Sequence, residues 1–152
     1  MAGILYQVNS GEVALTAATA KSVLQVKAPA NQRVLIRVVR LFGKAPAGGT
    51  DTPVKVRMTR NAANFGTGTA ATPAKNNPSD TETIQTTAFA NFTAEPTTPT
   101  DGGLWFEIQP QLGVVEIYPI GAPIVIPGGQ SVQFEFTAAA TETVLVSLVC
   151  EE

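Results

Sequence analysis

"SVQFEFTA", Ser131 to Ala138, is the stretch that decides the fold. Val132, Phe134 and Phe136 alternate with Gln133, Glu135 and Thr137, the period-2 signature of a strand with one apolar and one polar face. A turn signal, "PGGQ" at Pro127–Gln130, stands directly before it. The same alternation recurs where Val54, Val56 and Met58 interleave with Lys55, Arg57 and Thr59, and where Leu104, Phe106 and Ile108 interleave with Trp105, Glu107 and Gln109. Three such segments predict the walls of a sandwich, apolar inside and polar outside.

Two further segments, Val34–Phe42 and Val144–Cys150, are apolar on both faces. A strand of that kind is covered once by its own core and once by a loop, an arm or another subunit. Shorter strand candidates are Ile4–Val8, Val13–Thr16, Val23–Lys27, Ile84–Phe92, Val114–Tyr118 and Ile124–Ile126. Thr16–Lys27 has helix-favouring alanines, but its β-branched residues and lack of a wide apolar stripe favour strand or loop. The expected fold is all-β: a single β-sandwich with jelly-roll-like connections and long connecting loops. Residues 1–15 read as an N-terminal arm or edge strand, and residues 16–152 as the sandwich.

The chain has 152 residues, 44% of them hydrophobic and only 14% charged, against a typical charged share of about 25%. All ten basic residues lie between Lys21 and Lys75, whereas only Glu12 and Asp51 of the acids precede Asn76. Two arrangements fit this split: basic and acidic strands lying side by side, or one basic face and one acidic face. With a basic face, Arg33, Arg37, Lys55, Arg57 and Arg60 are the set expected to meet a partner, in a salt-sensitive way. Nucleic acid is not the expected partner, because the basic residues are not interleaved with stacking aromatics. No membrane partner is expected either, since the longest uncharged run, Ile117–Phe134, is broken by Pro119, Pro123 and Pro127. The N-terminus lacks a basic n-region followed by a long apolar core, so synthesis in the cytoplasm is expected.

Histidine is absent, which removes Ser-His-Asp and Cys-His catalysis and the usual zinc and copper ligands. Glu107, Glu116 and Glu135 are the carboxylates on outer strand faces, and solvated acids there need no catalytic role. No calcium loop or phosphate-binding glycine motif is present, because "GTGTAA" at Gly66–Ala71 lacks the third glycine and the Lys-Ser/Thr pair. Its glycines are read as backbone freedom. The expectation is therefore no catalytic residue, no metal and no cofactor. Cys150, the only cysteine, reads as a small buried hydrophobe. Trp105 and Tyr118 are predicted to point outward, as anchors at a protein interface or as a stacking face for sugar rings.

Several phrases carry a family resemblance: "TAATAKSVLQVKAPANQRVLIRVVRLFG" (Thr16–Gly43), "TPVKVRMTR" (Thr52–Arg60), "NFTAEPT" (Asn91–Thr97), "IVIPGGQSVQFEFTA" (Ile124–Ala138) and the closing "CEE". From about Leu15 to its end the chain resembles a family of small β-sandwich structural proteins of tailed bacteriophages, the capsid decoration or cement proteins. The resemblance implies binding to the outer surface of an assembled head, with the major capsid protein as partner, often as a homotrimer that braces capsomer junctions. A histidine that often precedes the family's Pro-Gln is replaced here by Gln109, before Pro110-Gln111, so no role for it carries over. The alternative expectation is a non-catalytic receptor- or glycan-binding module of the virion.

Two more contacts are expected from the residues themselves. "MAGILYQV" is too apolar for a free tail, so Ile4, Leu5 and Tyr6 are expected to pack against the domain or an adjacent subunit. "NFGTGTAATPAKNNPSD", Asn64–Asp80, is long and aperiodic, and it is expected to reach a neighbouring protomer or the shell, with Phe65 as its anchor.

Overall fold

The computed structural model describes residues 3–44, 52–112, 114–117 and 122–152. Two antiparallel sheets pack face to face, as the alternation in the sequence predicts. Sheet A combines β1 (Leu5–Asn9), β2 (Val13–Leu15), β4 (Val34–Lys44), β7 (Ala74–Lys75), β10 (Val114–Ile117), β11 (Ile124–Ile126) and β13 (Glu142–Glu151). Its main order is β10-β4-β13-β1-β7, with β11 also on β4 and β2 also on β13. Sheet B combines β3 (Lys21–Lys27), β5 (Val54–Asn61), β6 (Thr67–Ala70), β8 (Thr87–Ala94), β9 (Thr100–Ile108) and β12 (Ser131–Ala138), in the order β6-β8-β3-β12-β5-β9.

The core lies between the sheets. Sheet A contributes Tyr6, Val8, Ile36, Val39, Leu41, Val146 and Leu148, and sheet B contributes Leu24, Val26, Val56, Met58, Phe134 and Phe136. Cys150 belongs to this core as well. Burial pushes its thiol up to about 12, so it is protonated and inert at neutral pH.

The N-terminal segment is not an arm. β1 lies inside sheet A, paired with β13 on one side and β7 on the other, and its partner residues run from Leu5 opposite Glu151 to Asn9 opposite Ser147. Ile4 and Tyr6 therefore pack in the domain's own core, and only Leu5 reaches the surface, at 42% exposure. The Tyr6 hydroxyl donates to Thr86 Oγ1 at 2.6 Å, and Thr86 Oγ1 donates to the Glu152 carboxylate at 2.5 Å. Burial raises the phenol well above its ordinary value, so it stays a neutral donor.

The long stretch Asn64–Asp80 departs most from expectation. It forms β6, which pairs with β8 at the edge of sheet B, and then crosses to form β7, which pairs with β1 at the edge of sheet A. Ala71, at the crossing, is buried in the core. The stretch is a strap that closes one flank of the sandwich, and Phe65 docks on its own sheet: its carbonyl accepts from Gln25 Nε2 at 3.1 Å and Lys27 Nζ sits 4.0 Å from its ring centre.

The glycines of the strap serve the backbone, as the sequence predicts. Gly66 has φ +77°, and a Cβ there would come 2.6 Å from the Ala94 carbonyl oxygen. Gly66→Ala should destabilise the fold by about 1–3 kcal/mol, the usual cost of holding a non-glycine residue in this conformation, readable as a lower urea midpoint.

Candidate interaction surfaces

The outer face of sheet A carries the second apolar side of β4 and β13. Leu35, Phe42, Leu145 and Val149 are half-buried and do not pack on the inter-sheet core. Val38, though buried, also stands outside that core. The register groups these residues: Phe42 faces Leu145, and Val38 faces Val149. Leu35 adjoins Val125 of β11, which is 37% exposed. A recess of about 160 Å³ opens beside Phe42 and Leu145. Leu5 lies at the margin of this face, opposite Glu151.

Between and beside the apolar groups, the charges are already paired. Arg37 Nε donates to Glu151 Oε2 at 2.7 Å, and Arg40 Nε donates to Glu116 Oε1 at 2.6 Å. On sheet B, Lys55 stands opposite Glu107, and Arg57 opposite Glu135. Burial raises the Glu135 carboxyl above its ordinary value, Arg57 pulls it back, and Glu95 adds to the rise. The lopsided sequence charge thus resolves into side-by-side pairing, the first of the two arrangements.

The expected basic face does not form. Arg37 lies on the outer face of sheet A, Lys55 and Arg57 lie on that of sheet B, and Arg33 is in the turn before β4. Arg60 bridges the sheets by donating to the Val125 carbonyl at 2.7 Å. Strands that belong to opposite layers cannot present one surface, however close their residues lie in the chain.

The three outer-face carboxylates are likewise not assembled into one site. Glu116 is on sheet A, while Glu107 and Glu135 are on strands that flank β5 in sheet B. Each adjoins a basic residue. Among the described residues, no group of three or more Cys, Asp or Glu is placed to hold a metal ion.

Trp105 points outward as expected and is 58% exposed. Its Nε1 donates to Asp101 Oδ2 at 3.0 Å, and the Arg57 guanidinium carbon lies 4.9 Å from its ring centre. Asp101 accepts from the Gly103 N–H at 2.9 Å, and these hydrogen bonds hold its carboxyl below the ordinary range. Tyr118 lies outside the described residues.

A cleft of about 630 Å³ at one end of the sandwich is lined by Gly3, Arg33, Leu35, Glu82 and Glu152, among others. Glu152 is committed there to structure: its carboxylate accepts from the backbone N–H groups of Gln85 and Thr86 at 2.6 and 3.0 Å.

Sequence reasoning marked β4 and β13 as two-sided and set Leu145 and Val149 on the face opposite Val144, Val146 and Leu148, but it did not single out Phe42, which joins them through the register of β4 on β13. It also missed Asp101, whose role depends on the extra residues of the bulge at Gly102-Gly103. No protein-family model, curated protein or solved structure matches this chain.

Proposed function

We propose that the protein is a non-catalytic capsid decoration protein that binds the outside of an assembled phage head and braces its capsomer junctions. The observation that carries this reading is the outer face of sheet A, where Phe42, Leu145, Val38 and Val149 form an apolar surface whose neighbouring charges are paired with each other. Such a face loses water on docking without stranding an unpaired charge. The sequence resemblance supports the same reading and supplies the partner, the major capsid protein, and the trimeric state. The protein then resides on the outer surface of the virion.

Stabilisation follows from linkage. A protein that binds only the intact shell stabilises it by about 2.7 kcal/mol per site at a hundredfold excess over Kd. Because Arg37 and Arg40 already have carboxylate partners, binding should persist in molar salt, in contrast to the salt sensitivity expected of a basic docking face.

The test is a titration of purified protein onto heads assembled without it. The wild type should bind saturably and raise the heads' thermal resistance. The L145D/V149D protein should lose at least about tenfold in affinity, because docking would bury carboxylates without partners. Both residues are half-buried on the outer face and stand outside the inter-sheet core, so the variant should keep its far-UV circular dichroism. A variant that binds like the wild type would overturn the assignment of this face. Trp105 favours the second reading, a glycan-binding module; binding to glycans but not to heads would replace the decoration role with it.

A further inference from the structure

β9 ends sheet B, and among the described residues no strand pairs with its outer side. Natural edge strands are usually blunted by Lys, Pro, bulges or covering segments. Here the bulge lies at one end, and Leu104–Ile108, "LWFEI", runs in regular register with β5, with one charge and neither Lys nor Pro. The opposite flank of the sandwich is closed by the strap. On the β9 flank, a groove of about 440 Å³ opens between the sheets, lined by Met58, Leu104, Ile117, Pro123, Ile124 and Val125 among others.

Above this edge stands Trp105. Asp101 fixes its indole N–H and Arg57 lies against its ring, while more than half of the side chain remains open. An aromatic side chain held in one orientation loses little conformational freedom on binding, which is what makes such residues effective anchors.

We propose that β9 pairs antiparallel with β9 of a second copy about a two-fold axis, joining the two six-stranded sheets into one. The sequence of β9 matches its own requirements as occupant. Leu104 and Phe106 lie on the groove side of the strand, and Trp105 and Glu107 lie on the outer side. With Phe106 opposite Phe106 of the second copy, Glu107 falls opposite Trp105 of that copy. The only charge of the regular segment then avoids its like and comes beside the Arg57–Trp105 stack. The contact is isologous, so each β9 edge is closed by one other, and the contact joins two particles whether they are single chains or trimers. It uses sheet B alone and operates in the free protein, independently of head binding through sheet A.

Trp105 is the only tryptophan, so its fluorescence reports this edge directly. Sedimentation velocity and tryptophan emission should be followed together across a dilution series of the full chain. As the protein is diluted, the emission should move to longer wavelength in step with a halving of the particle mass. W105K puts a lysine on the edge and should weaken this association by roughly thirtyfold or more, the effect of losing an interface anchor, while the far-UV spectrum is retained. E107K keeps the tryptophan and should give the same halved mass, because it sets a lysine against the other copy's Arg57. A particle mass unchanged by both substitutions, or an emission unchanged across the dilution that halves the mass, would overturn the pairing.

Discussion

A chain lacking residues 1–8 should show no cooperative unfolding transition. β1 is an interior strand, and its removal would open one side of β13 and leave β7 without its partner at once. It would also remove Ile4, Tyr6 and Val8, which are 7%, 0% and 0% exposed. Burial of such side chains contributes about 1.5–3 kcal/mol each, roughly 5–9 kcal/mol together, against a total stability of about 5–15 kcal/mol for a domain. The hydrogen-bond chain from Tyr6 through Thr86 to Glu152 would go as well. Thermal and urea melts by circular dichroism would check this, and a sharp transition within a few degrees of the wild type would contradict the placement of β1. Loss of head binding by such a truncation would accordingly report unfolding rather than the loss of an arm.

Phe134→Ala should lower the stability of the domain by about 3–5 kcal/mol, more than Gly66→Ala. Phe134 is fully buried on β12, in the middle of sheet B, where it faces Leu24 of β3 and Met58 of β5. Strands on both sides fix the backbone, so the site cannot collapse to fill the space left by the ring. The urea midpoint should fall with an unchanged denaturant slope, the sign of lost stability without a change in the surface exposed. Trp105→Lys, a substitution at an exposed position, should move the midpoint far less.

The strands that alternate or run apolar in the sequence are all present. The two that escape it, β6 and β7, have the sequences "TGTA" and "AK". Neither has a periodic apolar face, because each adds to a sheet edge through its backbone and buries little side chain. Only pairing with distant β8 and β1 makes them strands. Ile4 and Tyr6 are apolar in a way that fits an interface as well as a core, and it is the pairing of β1 with β13 that decides between them.

A different kind of miss concerns Thr59 and Gln133, which alternation places on an outer, polar face. Both are fully buried, as is their neighbour Gln25, whose Nε2 donates to Gln133 Oε1 at 2.9 Å and to the Phe65 carbonyl. The segment entering the strap lies over this part of sheet B, and Asn64 and Thr97 tie it to the turn before β9. Period-2 reasoning assigns a face but not what covers it. The same limit applies to charge: composition shows the split between the halves of the chain, while the pairing of Arg37 with Glu151 and Arg40 with Glu116 depends on strand order. The apolar outer face of sheet A, by contrast, is legible wherever both alternating sets of a strand are hydrophobic.

Docking of this face on a phage head is best checked by a cryo-electron microscopy map of heads assembled without the protein and then saturated with it. Ordered external density should appear at capsomer junctions, with Phe42, Leu145 and Val149 against the shell. Heads that remain bare at saturating protein, or density in which the outer face of sheet A points to solvent, would contradict the decoration role proposed for this surface.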